Sequence, residues 1–466
     1  MGPQRYWLPP ALRRRRIAAA RVLLTLFVLA GLGAGLFLAM LPHDATFRLW
    51  LNMRNREAFW TPKPHELKWL SRPAAYPINW KDDVGIVVKS GFGTQHRIPA
   101  WLEAVREVGD VVLIADYATK AGEHYSKHGR ELPVHDVVGA MFEQGVFSVA
   151  DLEHPRAQQY KNMSEAITRG DESAMQMAKD IGWGLDAMKF VSGLELAYKQ
   201  MPNKKWYLLV DDDTYIVQDS MTLLLERLNS RKRYYIGNPV GGWALMFGHG
   251  GSSIVMSNAA VHRLYSPAFN HLITQTNHES LDETWGDRLL AKAFIGVGIY
   301  LDQAYSVLFN GERPRISWIR ADRFCAPVVS FHGHSNPEDM RETGNTFRNL
   351  RKVIRWIDIW DITGAPDLAT FRTSPQRRNW DHIGRLDERV TTSTDLKSAD
   401  ECHAACKAMR GPNWPKGKCL AWTWDDKEGK CFQSPWMIVG SQAEGRISGL
   451  NEERVSELAA ACNPIP

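Results

Sequence analysis

The sequence predicts an α/β domain that follows an N-terminal membrane-spanning helix and precedes a small disulfide-rich α+β module. Three observations support this prediction. Apolar strand-like runs alternate with helical patterns between about residues 82 and 365, an uncharged run lies near the N-terminus, and five of the six cysteines come after residue 400. Alternating strands and helices are typical of a parallel sheet with helices on its faces. The length of 466 residues suits one large domain and a small one.

The N-terminal segment predicts a type II membrane protein. The basic cluster Arg13–Arg16 precedes an uncharged run over residues 22–41, whose length matches a bilayer-spanning helix. A cleavable signal peptide has a similar pattern, but this run is longer than a typical signal core and Leu41–Asp44 lacks a small-x-small cleavage site. We expect a cytoplasmic tail over residues 1–21 and an uncleaved signal anchor over 22–41, with the remaining chain lumenal.

The charge and the cysteines narrow the class of protein. The net charge of +5 is modest and comes partly from the N-terminal arginines, so it gives no case for nucleic-acid binding. Cysteines clustered near one end of a chain indicate a disulfide-stapled module in an oxidising compartment. Both observations are consistent with a lumenal protein.

The α/β domain is expected to begin at residue 82, after a proline-rich stem over residues 42–81. Val84–Lys89 is a predicted first strand, Ile98–Val108 a helix and Val111–Ala115 a second strand. A strand, a helix and a strand in this order imply a parallel pair. Residues 82–365 are therefore predicted to form one α/β domain.

Three consecutive carboxylates, Asp211, Asp212 and Asp213, directly follow a predicted buried strand over Trp206–Val210. Ligands of open α/β sheets bind beyond the carboxyl ends of the strands. Adjacent carboxylates repel one another and raise each other's pKa unless a cation neutralises them. A hard divalent ion is the natural counter-charge. The structural alternative is that these acids cap a helix or make a turn.

A second polar segment, Gly248–Ser253, is rich in small residues. Small residues let the backbone come close to a ligand, or they make a tight bend. The residues alone do not choose between these two interpretations.

Four segments occur in the order Lys204–Val217, Gly248–Ser257, Leu281–Gly286 and Val329–His334. Together they resemble the fringe-like β-1,3-glycosyltransferases, glycosyltransferase family 31, particularly the membrane-anchored forms of fungi. The resemblance covers roughly residues 82–360. It implies a GT-A fold with a nucleotide-sugar-binding sheet, a UDP-sugar donor, a glycan or glycoprotein acceptor, Mn²⁺ as the cofactor and a Golgi (or endoplasmic reticulum) membrane location.

The resemblance also implies the metal ligands. Asp213 would bind the metal directly, and Asp211 would reach it through water or contact the donor ribose. His332 resembles the family's distant metal-ligating histidine, and an imidazole is a suitable ligand for Mn²⁺. Without the motif, a histidine at this position would be taken for a core residue. Asp212 is expected to point away from the metal.

Asp282 lies where the family places its catalytic base, four residues before Gly286. The match is imperfect, because Leu281 stands where an acidic residue or proline is usual and Asp287 is a competing carboxylate nearby. Asp282 is preferred, with Asp287 as the alternative. The residues expected to border the donor pocket are Lys89, Arg97, Asp116, Asp211, Asp212, Gly250 and Gly251.

The reaction implied is an inverting transfer of a hexose, galactose in the first place or an N-acetylhexosamine, in β-1,3 linkage. Two other functions are alternatives to a glycosyltransferase. One is a lectin-like binding protein with an inactive transferase domain. The other is a phosphohydrolase with an Asp nucleophile, but Thr214 comes one position too early for the Asp-x-Asp-x-Thr pattern of such enzymes.

The C-terminal part is predicted to consist of a linker over residues 366–390 and a module over residues 391–466. Cys402 and Cys406 are one helical turn apart, and Cys419 and Cys431 open strand-like segments, so a helix stapled to a small sheet is expected. Four cysteines allow three connectivities. Zinc is disfavoured, because no Cys-x-x-Cys pair is present. Cys325 and Cys462 remain and could pair with each other. The module resembles a PAN/apple module, which implies binding of carbohydrate or protein.

Overall fold

The structure is a computed structural model that describes residues 10–55, 67–106, 109–242, 245–409 and 418–462. Within these ranges the chain forms seventeen α-helices and nineteen β-strands. Residues 1–9 of the predicted tail and 56–66 of the predicted stem lie outside the described residues.

The N-terminal segment contains α1 (Pro10–Met40) and α2 (Thr46–Asn55). In the described part of the chain, Ala20–Met40 is the one helix long and apolar enough to cross a bilayer, with a mean hydropathy of 2.5 and none of its apolar window buried. A helix of this length and composition is compatible with the predicted anchor. The segment after it contacts the α/β domain, where the Tyr300 hydroxyl donates a hydrogen bond to the His43 carbonyl at 3.0 Å.

The α/β domain is built from thirteen strands and the helices between them. Its helices are α3 (Trp80–Asp83), α4 (Ile98–Ala104), α5 (Val137–Glu143), α6 (Pro155–Arg169), α7 (Ala174–Asp186), α8 (Phe190–Gln200), α9 (Gln218–Leu225), α10 (Asn258–Leu264), α11 (Asn270–Glu279), α12 (Gly286–Gly296), α13 (Pro337–Phe347), α14 (Asp358–Ile362) and α15 (Thr370–Thr373). Its strands are β1 (Val84–Lys89), β2 (Asp110–Ala115), β3 (Tyr125–Lys127), β4 (Arg130–Leu132), β5 (Val134–Asp136), β6 (Trp206–Asp211), β7 (Tyr215–Ile216), β8 (Tyr235–Gly237), β9 (Pro239–Gly242), β10 (Leu245–Gly248), β11 (Ile254–Ser257), β12 (Ile319–Arg320) and β13 (Ser330–Phe331).

The main sheet has six strands in the order β5-β2-β1-β6-β11-β8. The first four are parallel, and β11 runs antiparallel to both of its neighbours. All six residues of β1 are buried, because helices cover both faces of a sheet of this kind. Lys89 pairs with Asp211 and with Ile114 across the neighbouring strands, so the carboxyl ends of β1, β2 and β6 meet at one edge. The predicted α/β class is confirmed.

A short ladder beside this edge brings two distant segments together. Strand β7 follows the three aspartates, and β13 directly precedes His332. The two strands pair antiparallel, Phe331 with Tyr215 and Ser330 with Ile216. This pairing places the histidine next to the acidic segment although more than a hundred residues separate them.

The C-terminal module contains α16 (Ala399–Ala408), α17 (Glu452–Ala460), β14 (Arg377–Asp381), β15 (Thr391–Ser393), β16 (Ala421–Asp425), β17 (Lys430–Ser434), β18 (Trp436–Met437) and β19 (Ser441–Leu450). Five of these strands form an antiparallel sheet in the order β14-β19-β16-β17-β15. Two disulfides, Cys402–Cys431 and Cys406–Cys419, staple α16 to this sheet, which confirms the expected arrangement and selects one of its three connectivities.

The module is joined to the α/β domain covalently and by packing. The expected Cys325–Cys462 pair forms a disulfide that links the two parts of the chain. Strand β12 pairs with β18, and the rings of Trp318 and Trp436 stack with centroids 4.2 Å apart. The module is therefore packed against the domain.

The predicted stem over residues 42–81 is too long. Trp69, Leu70 and Trp80 are buried in the main core, and the indole of Trp80 donates a hydrogen bond to Thr222 Oγ1 at 2.7 Å. The prolines of this segment prevent a long helix but do not prevent large apolar side chains from packing. The α/β domain thus begins before residue 82.

The predicted linker over residues 366–390 is also wrong, because it contains an edge strand of the module. Strand β14 pairs with β19, and Phe371, His382 and Ile383 are buried. An edge strand with solvent-facing arginines has the composition of a linker, since only its few buried residues are apolar. The predicted helix over residues 98–108 is shorter as well and ends at Ala104; its last two residues lie outside the described chain.

Candidate functional site

A cleft of about 760 Å³ opens at the carboxyl ends of β1, β2 and β6. Every predicted site residue except Asp282 lines it, namely Lys89, Arg97, Asp116, Asp211, Asp212, Asp213, Gly250, Gly251, Asp287 and His332. A second cavity, of about 680 Å³, lies by Trp80 and Gly109 and has no carboxylate among its lining residues. The first cleft has the size of a ligand pocket and the location typical of α/β sheets.

Asp211, Asp213 and His332 form a group that could hold a metal ion. One ligand atom of each lies within 4.8 Å of the others. His332 Nδ1 faces the Gly311 carbonyl at 3.3 Å, and Nε2 lies 3.3 Å from Asp213 Oδ1. A proton on Nδ1, donated to that carbonyl, leaves the Nε2 lone pair directed at the carboxylates, as metal-ligating histidines require.

Two oxygens of this group support the fit to a cation. The Oδ1 atoms of Asp211 and Asp213 are buried and have no hydrogen-bond partner of good geometry among the described residues. Lys89 Nζ lies 2.9 Å from the first of them and His332 Nε2 lies 3.3 Å from the second. Both oxygens therefore have a cationic neighbour but no hydrogen bond of good geometry, which leaves room for an additional partner. Two carboxylates and an imidazole are ligands that suit Mn²⁺.

The charges of neighbouring groups shift the pKa values of His332 and Asp213. Burial lowers the pKa of His332, but the hydrogen bond and charge of Asp213, together with Asp211, outweigh burial and raise it to about 9. Burial raises the pKa of Asp213, and the neighbouring cations His332, Arg97 and Lys89 more than offset this and lower it. The protonated histidine neutralises part of the carboxylate charge, and a divalent ion would take the place of that proton.

Lys89 and Arg97 supply the fixed positive charge of the cleft. Lys89 is buried, and its Nζ contacts Asp186 at 2.5 Å and Asp211 at 2.9 Å. Arg97 lies 3.3 Å from Asp212. The carboxylate of Asp186, one third exposed, was not predicted from the sequence, because a single aspartate at a helix end has no distinguishing pattern.

Asp212 is not part of the group of three metal-ligand candidates. Its Oδ2 accepts hydrogen bonds from the hydroxyls of Ser90 at 2.6 Å and Thr94 at 2.7 Å. Burial and the charge of Asp213 raise its pKa to about 6. The carboxylate therefore fixes the turn after β1 against the acidic segment.

Asp116 has a similar role on the other side of this turn. Its Oδ2 lies 2.8 Å from Lys189 Nζ, and its Oδ1 accepts a hydrogen bond from the Phe92 amide at 2.8 Å. Lys189 Nζ also donates to the Ser90 carbonyl at 2.9 Å. This buried pair shapes the turn that borders the cleft. Lys189 was not predicted, since its partner is distant in the sequence.

The glycine-rich segment allows close approach and is more than a bend. A Cβ atom at Gly251 would lie 2.3 Å from His332 Nε2, and one at Gly250 would lie 2.8 Å from the Phe190 ring. Thr214 Oγ1 donates to the Gly251 carbonyl at 2.8 Å. The next turn contains Ser253 at φ +71° and ψ 143°, a region that non-glycine residues rarely adopt and that is often found at functional sites.

The structure separates the two candidate bases. Asp287 lines the cleft, and its Oδ2 accepts a hydrogen bond from the Gly250 amide at 2.9 Å. Asp282 does not line the cleft; its side chain is 86% exposed and lies 3.1 Å from His154 Nε2. Because α12 begins at Gly286, its first turn directs Asp287 inward. The geometry does not support the preference for Asp282.

Arg156 holds the loop that connects these two aspartates, and no sequence pattern predicts this contact. Its guanidinium donates to the carbonyls of Ser280 at 2.5 Å and Glu283 at 2.7 Å. The arginine begins α6, more than a hundred residues away from this loop. Every residue type has a backbone carbonyl, so the residue types of the loop do not indicate these contacts. Only the structure shows that Arg156 binds this loop.

Gly251→Ala should weaken binding of Mn²⁺ by at least about tenfold, because the new Cβ would displace the His332 ring. Isothermal titration with MnCl₂ measures this change. Gly242→Ala is the matched control, since a Cβ there meets no atom within 4 Å. Equal affinities of both variants and the wild type would contradict the assignment of His332 as a ligand.

Residues 185–352 match the Fringe-like family model. No curated protein matches the chain. The matched range contains Asp211, Asp213 and His332, both candidate bases and the glycine-rich segment, and it lacks Lys89, Arg97 and Asp116. A mixed α/β fold with a parallel-rich sheet is consistent with the GT-A fold implied by such a domain. The match therefore supports a fringe-like glycosyltransferase domain in this chain.

Proposed function

We propose that the protein is an inverting, Mn²⁺-dependent glycosyltransferase of family 31. It would move a hexose, galactose in the first place or otherwise an N-acetylhexosamine, from a UDP-sugar to a glycan or glycoprotein hydroxyl in β-1,3 linkage. The observation that carries the proposal is the meeting of Asp211, Asp213 and His332 in the cleft at the strand ends, inside the range of the Fringe-like match.

The charged residues of the cleft would have different roles. Asp213 and His332 would hold the cation, and Asp211 would join them directly or through water. When bound, a divalent ion supplies Lewis-acid stabilisation of the negative charge that develops on the departing diphosphate. Lys89 fixes the orientation of Asp211, while Arg97 balances the charge of Asp212.

Asp287 is the proposed catalytic base. Its carboxylate is held by the amides of Gly250 and Arg288, and burial, followed by the charges of Asp211 and Asp186, raises its pKa to about 6. A carboxylate with such a pKa is ionised at neutral pH and still a useful proton acceptor. It would take the proton of the acceptor hydroxyl as that oxygen attacks the anomeric carbon, and one displacement converts an α-linked donor into a β-linked product.

The remaining parts of the chain fit a secretory-pathway enzyme. The helix Ala20–Met40 would be the anchor of a type II protein of the Golgi membrane, with the catalytic domain in the lumen. The module with its two internal disulfides would act as a PAN/apple-like unit that binds carbohydrate or protein. An intact metal-ligand group speaks against the inactive, lectin-like alternative. The position of Thr214, one residue too early for the Asp-x-Asp-x-Thr pattern, speaks against the phosphohydrolase.

The first test measures UDP release from a panel of UDP-sugars with and without Mn²⁺. We expect the wild type to require the metal, and Asp213→Ala and His332→Ala to lose at least about 100-fold in turnover, because each removes a ligand. Asp171→Ala and His278→Ala, which alter the same residue types outside the cleft, serve as controls. Wild-type turnover of either ligand variant with added Mn²⁺ would contradict the metal assignment.

The second test compares the two candidate bases. Asp287→Asn should lower kcat by about 10² to 10⁴, the usual contribution of a general base, and Asp282→Asn by less than about tenfold. Protonation of Asp287 removes the base, so the kcat of the wild type should fall as the pH drops through about 6. A bound cation lowers the pKa of Asp287, so with the metal present the fall should occur at a lower pH. If the losses are reversed between the two variants, Asp282 is the base.

A further inference from the structure

Two exposed tryptophans border the cleft without a role in the chemistry described so far. The sequence has 18 tryptophans, and in the described part of the chain exposed tryptophan side chains occur at residues 50, 183 and 285. Trp50 follows the apolar N-terminal helix, whereas Trp183 and Trp285 both line the cleft. Exposure of a large apolar side chain to water is unfavourable, so two exposed tryptophans at one cleft point to a ligand that covers them.

Trp285 is fixed on one side and open on the other. Its ring stacks on Phe247 with centroids 6.2 Å apart and an interplanar angle of 28°, and half of the side chain remains exposed. It is the residue before α12 and stands two positions before Asp287. A ring that rests on the open face of Trp285 would therefore lie beside the proposed base.

Trp183 lines the same cleft from α7. Its side chain is 67% exposed, and it stands one helical turn before Asp186. Asp186 contacts Lys89, which in turn contacts Asp211. Trp183 thus borders the site from the helix that is linked to Asp211 through Lys89, and Trp285 borders it from the residue just before α12, the helix that carries the proposed base.

We propose that Trp285, together with Trp183 of α7, is a stacking platform for a pyranose ring of the acceptor. C–H groups on one face of such a ring meet the electron-rich face of an indole. A β-1,3 linkage already requires a sugar hydroxyl as the acceptor, and the platform identifies the side chains that would hold that sugar. This inference rests on the proposed function and assigns its acceptor-binding residues.

The position of the platform favours the acceptor over the donor. Ser90 and Thr94 of the turn after β1 hold Asp212 next to the metal-ligand group, whereas Gly251 and Gly250 connect that group to Asp287. A donor whose diphosphate lies at the metal-ligand group would then extend its nucleotide towards the turn after β1. The space beside Asp287 and Trp285 then remains for the molecule that loses a proton.

The test uses the full chain and small glycosides without an aromatic aglycon. Transfer from the best UDP-sugar to methyl β-D-galactopyranoside, methyl β-D-glucopyranoside and methyl N-acetyl-β-D-glucosaminide is measured together with UDP release in their absence. Trp285→Ala should raise the KM for the best glycoside about tenfold and lower the ratio of transfer to hydrolysis to a similar degree. Trp285→Phe should recover most of this loss and Trp285→Leu little of it.

Tyr76→Ala is the matched control, because Tyr76 is an exposed aromatic residue outside the cleft. It should change neither the KM nor the ratio. A raised KM for the UDP-sugar in Trp285→Ala, with the glycoside KM unchanged, would assign the platform to the donor and overturn the proposal. Better transfer to a serine- and threonine-containing peptide than to any glycoside would also overturn it.

A direct binding measurement keeps this test separate from the proposed function. Saturation-transfer NMR of the same methyl glycosides with the wild type should show contacts to the C–H face of the ring, and Trp285→Ala should lose them. If the wild type releases no UDP from any donor, the proposed function fails, while this signal still decides the platform. Absence of the signal in the wild type overturns the platform itself.

Discussion

Repulsion between adjacent carboxylates is the constraint on which this site depends. Asp211 ends β6, Asp212 and Asp213 follow it, and a fourth aspartate, Asp186, lines the same cleft, so four like charges meet at one edge of the sheet. Three cationic side chains balance them. Asp186 and Asp211 share Lys89, Asp212 pairs with Arg97 and accepts hydrogen bonds from two hydroxyls, and Asp213 faces His332. Asp213, whose partner is the protonated His332, belongs to the group that could hold a divalent ion.

This constraint explains features far from the acids. The ladder between β7 and β13 is only two residue pairs long, yet it places His332 opposite Asp213. Gly251 must lack a side chain because the histidine ring occupies that space. Asp287 in turn holds the same glycine-rich segment through the Gly250 amide, so the proposed metal site and the proposed base share one support. A change in that segment should therefore affect both.

Local sequence patterns predict the residues at the sheet edge well. The site residues that depend on contacts between distant segments cannot be predicted in this way. The apolar run before Asp211 is enough to place the acids at a strand end, and the resemblance supplied His332. Lys189 and Arg156 have no predictive pattern because their partners are distant in the sequence. Lys189 donates to the Ser90 carbonyl, and Arg156 donates to the Ser280 carbonyl. Asp282 and Asp287 lie five residues apart, and only the start of α12 decides which of them faces the cleft. The strand β14 has the composition of a linker because its exposed residues, Arg378 and Asn379, are polar.

The most direct measurement of the central claim is anomalous scattering at the manganese edge from crystals of the protein grown with Mn²⁺ and UDP. We predict one strong peak within coordination distance of Asp213 and of His332 Nε2, at about 2.0–2.3 Å, with Asp211 in the same shell or one water away. A peak bound by other residues, or none between these side chains in crystals that retain UDP, would contradict the assignment of this group as the metal site.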